Sequence, residues 1–197
     1  MRRDELEELH YITPIENVGS ILEHGILSHE LASALPHHSV AMQEIQEIRS
    51  KVVVPGGRPL HRYVNLYFCA RNPMMSKRRS EHESICVLRV STEVIDLPGV
   101  VITDQNAASH YARFGAAPTA LSMVNRDLVF AEFWKHPDDQ IMEWRHASIK
   151  CAEVLIPDRI DSAYVFGAYV SGDVSRAALE AVAPSLIVTM TSHMFFR

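Results

Sequence analysis

The chain has 197 residues, a length that suits one domain with a buried core. Hydrophobic residues make up 47% and charged residues 22%, and no apolar run approaches the roughly 18 residues of a membrane span, so a soluble, cytoplasmic protein that contacts no membrane is expected. The net charge of −5 excludes nucleic-acid binding through overall basicity and leaves room only for a local basic patch.

The first strand and the helix after it have the clearest local pattern in the sequence. Residues 9–13 read as a short strand, Thr13 as the N-cap of the next helix, and Pro14 as its first residue. Glu16 completes a capping box, and Gly25 is typical of a helix C-terminus. The predicted helix places four apolar side chains on one face, Ile15, Val18, Ile21 and Leu22.

A second amphipathic helix is predicted over residues 40–51. Ile45, Ile48 and Val52 recur at spacings of three and four, which predicts that they face the core. Arg49 lies beside this stripe, and an arginine in such a place is usually solvated. A turn rich in Pro and Gly follows at 55–59.

The rest of the chain reads as further strands and helices that do not alternate one for one. Strands are predicted at 63–70, 84–90, 100–104, 151–156, 163–168 and 186–190, and helices at 122–134 and from the cap Ser171 to Val182. Neither GxGxxG nor GxxxxGK[ST] occurs, which disfavours a Rossmann or P-loop domain. We therefore expect an α+β fold with a mostly antiparallel sheet.

Metal binding is not expected. The three cysteines form no close pair and lie in apolar, strand-like runs, so buried small side chains are expected rather than disulfides or a CxxC zinc site. The eleven histidines, which include the pair His37 and His38, match no spacing of a metal-ligand motif.

Four segments together resemble the DarT-type ADP-ribosyltransferase toxins, which modify DNA bases. They are 9–27, 39–75, the less similar 101–114, and 151–157, and the long second segment, with its helix, Gly-Gly turn, YVNLYF strand and RNPMM tail, is the most specific. The resemblance implies the ADP-ribosyltransferase fold, a split sheet with an NAD-binding cleft and flanking helices. It also implies NAD+ as co-substrate, a base in single-stranded DNA as acceptor, and a macrodomain antitoxin that removes the modification.

Glu153 is the principal candidate for a catalytic residue. It stands in an otherwise apolar strand, where a carboxylate is costly to bury unless it is paired, and the residues alone favour an outward-facing glutamate. Cleavage of NAD+ creates an oxocarbenium-like ribose, whose positive charge an enzyme must stabilise. The resemblance assigns this task to Glu153, which would also bind the 2′-hydroxyl of the nicotinamide ribose.

The resemblance also implies residues that bind NAD+. His10 and Asn17 correspond to residues of the family that contact the dinucleotide, and Thr13, as an N-cap, would open a helix N-terminus that favours an anionic phosphate. Arg49 corresponds to an essential arginine, which would either bind the pyrophosphate or lower the cost of deprotonating the target base; its high pKa makes it a poor general base. Tyr67 is the better candidate to stack on nicotinamide, because Phe68 alternates with core residues.

Three segments are candidates for contact with nucleic acid: the basic segment 70–79, the region around 111–113, and 136–150, expected to be a loop before Glu153. The candidate residues are Arg71, Met75, Lys77, Arg78, Tyr111, Arg113, Trp144 and Arg145, beside Met142 and His146 in the last segment. A solvated basic loop and a surface loop anchored by one Trp are the plainer alternatives.

The sequence does not determine which base or molecule accepts the ADP-ribose. The family often carries a histidine before Ala-Arg-Phe, and Tyr111 occupies that place here, so thymine, guanine or an RNA base fits equally. An ADP-ribosyltransferase that acts on RNA or protein, and a non-catalytic nucleic-acid-binding regulator with the same fold, are the alternatives. Loss of the glutamate would mark the regulator, and Glu153 is present.

Overall fold

The computed structural model describes residues 1–38 and 43–197, without the side chain of residue 43. These residues form a mixed α+β fold, as predicted. Seven α-helices lie around the strands within the described part of the chain: Val18–His24 (α1), His29–Ala32 (α2), Gln43–Arg49 (α3), Pro73–Lys77 (α4), Arg126–Phe130 (α5), Gln140–Ile149 (α6) and Asp173–Val182 (α7). None of these helices has the length and apolar character that a bilayer crossing requires.

The described strands form one eight-stranded sheet and one two-stranded sheet. They are Leu9–Pro14 (β1), Ile26–Leu27 (β2), Tyr63–Tyr67 (β3), Ile85–Val90 (β4), Val101–Thr103 (β5), Phe114–Ala116 (β6), Glu153–Pro157 (β7), Arg159–Ile160 (β8), Val165–Val170 (β9) and Val188–Met190 (β10). The large sheet has the order β10-β9-β4-β1-β3-β7-β5-β6, and only β9 and β10 run parallel. The predicted mostly antiparallel sheet is therefore confirmed.

The large sheet is split between β1 and β3. β1 pairs with β4 along its whole length and β3 pairs with β7 along its whole length, whereas β1 and β3 share one position, where His10 faces Tyr67. Two half-sheets therefore diverge from a single junction and leave a cleft between them. This is the split sheet that the family resemblance implied.

Strand β3 shows how alternation divides core from cleft. Val64, Leu66 and Phe68 belong to the main hydrophobic core, on which α1 and α7 pack together. The neighbouring residues Asn65 and Tyr67 line the cleft, to which Val64 also contributes, whereas Leu66 and Phe68 do not. Because successive side chains of a strand point to opposite faces, one short strand builds both the core and the site.

The structure corrects the start of the first helix. Thr13 is not an N-cap, because β1 continues through Pro14 and Thr13 pairs with Cys86 of β4. The amide of Ile15 then bonds to the carbonyl of Ser84, so the backbone donors are satisfied by the neighbouring strand instead of a capping side chain. A 3₁₀ turn over Ile15–Asn17 separates β1 from α1.

Gly25 ends α1, as predicted. Its φ of 83° lies in the left-handed region, and its amide donates to the carbonyl of Ile21 at 2.8 Å. A Cβ at this position would lie 2.3 Å from the carbonyl oxygen of Ile160, on β8. The close approach of the two segments therefore requires glycine here.

The predicted inward stripe of the second helix is wrong in part. Residues 40–42 of the predicted range lie outside the described residues, and α3 ends at Arg49. Ile48 is 43% exposed, whereas Arg49 is only 6% exposed. Hydrophobic periodicity does not predict that Ile48 is exposed and Arg49 is buried, because a buried carboxylate holds the Arg49 side chain inward.

Two other predicted helices have different bounds. The predicted helix 122–134 is a 3₁₀ turn, Thr119–Met123, followed by α5, whose N-cap Asn125 accepts from the Leu128 amide. The last helix begins after Gly172, and the hydroxyl of Ser171 donates to His82 instead of capping the helix. The hydrogen bond that the Asn125 side chain accepts thus starts a new helix, where the hydrophobic periodicity predicted one continuous helix.

Candidate active site

Glu153 and Arg49 form a bidentate ion pair between β7 and α3. The two guanidinium nitrogens Nη1 and Nη2 each donate to one carboxylate oxygen at 3.0 Å. Glu153 is fully buried and Arg49 nearly so. A buried carboxylate needs a hydrogen-bonded cation of this kind, so each residue accounts for the burial of the other.

The last residue of β5 and the segment after it fix Glu153 at both its backbone and its carboxylate. The Glu153 amide donates to the hydroxyl of Thr103 at 3.1 Å, and Oε1 accepts from the Ala107 amide at 3.2 Å. The Asn106 amide bonds to the Ser148 carbonyl of α6 at 2.9 Å. The carboxylate is therefore held by backbone and side-chain groups that leave little freedom of rotation.

Counting hydrogen-bond sites shows which carboxylate oxygen is available to a ligand. Each oxygen has two lone pairs, and Oε1 uses both, for Arg49 and Ala107. Oε2 accepts from Arg49 alone among the described residues. One acceptor site on Oε2 thus has no partner among the described residues, although Glu153 is fully buried and does not itself line the cleft.

The pair shifts the protonation of its neighbours. Burial disfavours the charge of Arg49, but the facing Glu153 carboxylate outweighs it and raises the pKa of Arg49 above its ordinary value. Burial and the same carboxylate raise the pKa of Tyr67 well above 10, and burial raises that of Cys151 to about 12. At neutral pH Tyr67 and Cys151 are neutral and add no charge to the cleft, which Arg49 lines and Glu153 does not.

One cleft holds most of the residues that sequence predicted for NAD+ binding. Thr13, Asn17, Arg49 and Tyr67 all line a cavity of about 230 Å³ at the split of the sheet. Asn17 Nδ2 donates to the Thr13 hydroxyl at 3.4 Å, which couples the end of β1 to the 3₁₀ turn. The structure therefore brings these four residues together, although Thr13 reaches the cleft from a strand rather than as a helix cap.

His10 lies elsewhere. Its Nδ1 bonds to the Phe68 carbonyl at 3.2 Å and its Nε2 to Glu8 Oε1 at 3.0 Å, so both ring nitrogens have protein partners. It lines a second cavity, whereas the next residue, Tyr11, lines the cleft with Arg49. These contacts favour a structural histidine at the sheet junction, and Tyr11 is one of the cleft residues that sequence reasoning missed.

Glu8 organises the polar network around that junction. It accepts hydrogen bonds from His10, from Tyr169 at 2.8 Å and from Arg89 at 2.6 Å. Burial raises the pKa of Glu8, but these three partners outweigh burial and lower it to about 2. No motif marks this glutamate, because two of its partners, Arg89 and Tyr169, come from strands far away in the sequence.

The basic segment 70–79 divides into different environments. Met75 is fully buried in a core cluster, so its predicted contact with nucleic acid is wrong; it occupies the inward face of α4. Arg71 bonds to the His193 carbonyl and stacks on Phe196, which ties it to the end of the chain. Arg78 pairs with Glu81 at 2.8 Å, and Lys77 lines the cleft that also contains Arg49.

The segment 136–150, predicted as a loop, is mostly helix α6. Asp139 caps it by accepting from the Met142 amide at 2.9 Å, so a capping signal was present in the sequence. Trp144, 67% exposed, and Arg145 project from α6 into solvent, so Trp144 is not an anchor, whereas His146 is buried and bonds to the Leu128 carbonyl.

Tyr111 and Arg113 lie on the loop between β5 and β6. Tyr111 is 85% exposed, and Arg113 pairs with Asp104 at 2.7 Å. The loop is joined to the carboxylate of Glu153 through the Ala107 amide. Exposed aromatic and cationic side chains on this loop and on α6 are thus connected to Glu153 by a few backbone bonds.

The chain is similar in sequence and structure to ADP-ribosyltransferases that act on DNA. It is 29% identical over 176 residues (83% of the chain) to a DNA ADP-ribosyl transferase–glycohydrolase fusion protein of Thermosipho africanus, of which it spans 42%. It is 31% identical over 142 residues, 66% of the chain and 68% of the relative, to a DNA ADP-ribosyl transferase of a Thermus species.

Solved structures agree with these relatives. Thermus sp. 2.9 DarT in complex with ADP-ribosylated single-stranded DNA superposes with a TM-score of 0.84 at 25% identity, over 97% of each chain. Thermosipho africanus DarTG in complex with ADP-ribose gives 0.82 at 27% identity, over 96% of this chain and 51% of that protein. The family model for DarT, described as ssDNA thymidine ADP-ribosyltransferase, matches residues 10–196, and the chain therefore belongs to the DarT family.

Proposed function

We propose that this protein cleaves NAD+ and transfers its ADP-ribose to thymidine in single-stranded DNA, with release of nicotinamide. The observation that carries the proposal is the buried Arg49–Glu153 pair beside the NAD cleft, which leaves one acceptor site on Glu153 Oε2. The family membership and the DNA-modifying activity named for the relatives support the same reaction.

NAD+ fits the chemistry of the cleft as a co-substrate. Aromatic side chains, among them Tyr11 and Tyr67, offer stacking surfaces, and hydroxyl and amide groups from Thr13, Asn17 and Asn65 offer hydrogen bonds to riboses and phosphates. No Asp or Glu occurs among the described residues that line it, so the pyrophosphate meets no repulsion there.

Glu153 stabilises the ribose during cleavage. The bond between the ribose and the nicotinamide nitrogen breaks, nicotinamide takes the bonding electrons and leaves as a neutral molecule, and positive charge develops on the ribose. Oε2 accepts the ribose 2′-hydroxyl, and the carboxylate charge lies close to the developing cation. The bonds from Arg49 and Ala107 hold the carboxylate in one orientation before the substrate arrives.

Arg49 acts on the acceptor through its charge. The attacking ring nitrogen of the base forms a bond to the ribose carbon and releases its proton to solvent. A guanidinium beside the base favours the deprotonated form, whereas its own pKa is too high for it to take the proton. Trp144 and Arg145 on α6, with Tyr111 and Arg113, present the exposed surface on which a flexible strand binds.

A single incubation tests the reaction. Labelled NAD+ is mixed with the protein and, in separate tubes, with single-stranded oligonucleotides that each lack one base, with duplex DNA, with RNA and with protein extract. We expect label only on single-stranded DNA that contains thymidine, a mass increase of one ADP-ribose on that base, and none with Glu153→Gln. Label on RNA or protein would show that one of these, and not DNA, is the acceptor. Binding of DNA without transfer of any label would indicate a non-catalytic regulator.

We further propose that a macrodomain glycohydrolase counteracts this chain, which then acts as a toxin. The Thermosipho africanus relative carries a DNA ADP-ribosyl glycohydrolase in the same polypeptide. Expression of the chain alone should arrest bacterial growth, and co-expression of a macrodomain glycohydrolase that removes ADP-ribose from DNA should restore it. Growth arrest that the Glu153→Gln variant also causes would show that the toxicity does not come from transfer.

A further inference from the structure

The cleft contains an unusual number of histidines for a site without acidic side chains. Among the described residues, four of its lining side chains are imidazoles and none is a carboxylate: the histidines are His29, His37, His38 and His61. A histidine is the side chain whose charge changes most readily near neutral pH. The charge of this cleft therefore depends on proton binding more than that of a site built from Lys and Arg.

The phosphates of NAD+ need a positive charge that the Arg49–Glu153 pair does not supply. Both carboxylate oxygens of Glu153 are bound by the guanidinium, so the pair carries no net charge, and Arg49 acts only on groups placed close to its guanidinium. The pyrophosphate carries one negative charge on each phosphate. Lys77 also lines the cleft, and the remaining groups able to become positive there are the histidines.

His29 and His61 are the most closely associated of these histidines. His29 begins α2, His61 belongs to the 3₁₀ turn Leu60–Arg62 packed against it, and the two ring centroids are 4.2 Å apart. His61 Nε2 and Oε1 of the neighbouring cleft residue Gln46 are both buried without a hydrogen-bond partner among the described residues. Buried polar atoms without partners in a cleft are expected to bind a ligand or a water.

The surroundings keep both rings neutral in the free protein. Burial lowers the pKa of His29 and of His61, and the charges of Arg49 and of a second histidine (His37 for the first ring, His29 for the other) lower it further. Glu30 opposes this shift for His61, but its carboxylate lies 3.4 Å from Arg62. Other ionisable groups on the packed elements are the exposed Glu44 and Glu47 of α3, and Tyr63.

We propose that His29 and His61 bind the pyrophosphate of NAD+ and that the pair takes up a proton when NAD+ binds. The proposal rests on the proposed function of the cleft and adds a proton to the binding equilibrium. Because a neutral pair becomes cationic only beside the anion, the affinity for NAD+ falls as the pH rises. For one proton the affinity falls by roughly tenfold for each pH unit between the pKa of the free pair and the pKa of the complex, and it is constant above the latter.

Isothermal titration calorimetry with carba-NAD+ tests the proposal on the full chain. The titration is run at neutral pH in PIPES and in Tris, whose ionisation enthalpies differ, so the difference in heat counts the protons taken up. We expect uptake approaching about one proton for carba-NAD+. Nicotinamide riboside and adenosine, which lack the pyrophosphate, should show none.

Two variants locate the proton. His29→Gln and His61→Gln should bind carba-NAD+ more weakly, and the heat should no longer depend on the buffer. His24→Gln, which removes a histidine on α1 outside the cleft, should keep the wild-type buffer dependence. Circular dichroism of each variant verifies that it is folded.

The outcomes separate this proposal from the proposed function. Carba-NAD+ binding with equal heats in the two buffers would overturn the proton uptake and leave the NAD+ site intact. Uptake that persists in both His→Gln variants would assign the proton to another group and overturn the role of this pair. A complete absence of binding would contradict both.

Discussion

Arg49 and Glu153 are 104 positions apart in the chain and meet in a bidentate pair with both distances at 3.0 Å. The pair joins a helix before β3 to the first residue of β7, across the half-sheet that both strands build. Because the pair is buried, breaking it lowers the free energy of unfolding, and the pairing gives Glu153 the fixed orientation that the proposed reaction needs. Stability and activity can be separated at this pair by experiment.

Removal of one partner should destabilise the fold, whereas removal of both should not. Arg49→Met alone and Glu153→Leu alone each leave an unpaired buried charge, with an expected loss of about 3–5 kcal/mol in the free energy of unfolding. The double variant replaces both charges with apolar side chains and should recover most of this loss. Urea denaturation of the three variants measures it, and transfer of labelled ADP-ribose should be absent from all of them.

A double variant as unstable as the sum of the two single ones would contradict this explanation, because the two losses would then be independent. Glu153→Gln is the milder probe of activity, since the amide oxygen still accepts one bond from Arg49. We expect it to fold and to lose transfer by at least about 100-fold, the range that one electrostatic stabiliser contributes.

Glu8 should make the protein sensitive to acid. Its folded pKa of about 2 lies below the ordinary 4.5, so its stabilisation is complete above pH 4.5 and is lost as the pH falls towards 2. Glu8→Gln should lower stability at neutral pH and flatten the dependence of stability on pH in that window. Thermal unfolding from pH 7 to pH 3 measures the difference, and Glu93→Gln, which removes an exposed carboxylate, is the control.

Gly25→Ala should destabilise the protein through backbone geometry alone. The added Cβ would lie 2.3 Å from the Ile160 carbonyl oxygen, and the left-handed φ disfavours any side chain. We expect a loss of more than about 1 kcal/mol in the free energy of unfolding. Gly56 has a similar φ, but a Cβ added there would meet no atom within 4 Å. Gly56→Ala therefore measures the backbone strain without the clash. Equal losses in both would show that the approach to β8 does not matter.

The exposed face of α6 should affect the acceptor rather than NAD+. Trp144→Ala should raise the KM for single-stranded DNA by about 5- to 150-fold, since stacking of one base contributes about 1–3 kcal/mol. Arg145→Glu should weaken DNA binding and reduce its dependence on salt. Carba-NAD+ binding should be unchanged in both, and Arg176→Glu on α7 should alter neither property. An effect of Trp144→Ala on carba-NAD+ binding alone would refute the assignment.

The sequence predicted those parts of the fold that local chemistry determines. Alternation along β3 assigned Leu66 and Phe68 to the core, and the need for a left-handed residue marked Gly25 as the end of α1. The start of α1 could not be predicted in this way. Thr13 has the chemistry of a cap, but pairing with β4 determines its backbone, and that pairing joins residues more than 70 positions apart.

The candidate site was predictable from sequence only through the family resemblance. Hydropathy favoured an exposed Glu153 and an exposed Arg49, and each is buried because the other is present. His10 and Tyr11 are adjacent in β1 and differ in which cavity they line, a distinction that depends on the position at which β1 meets β3. Such properties arise from pairs of distant residues, so no local pattern contains them.

The single position that joins β1 to β3 also determines how the cleft can widen. A dinucleotide can enter when the one pairing between β1 and β3 loosens, because each half-sheet keeps all of its own strand pairing. Additional pairings between β1 and β3 would raise the stability of the fold and would narrow the opening of the cleft. A variant with more pairing between β1 and β3 is therefore expected to gain thermal resistance and to lose turnover.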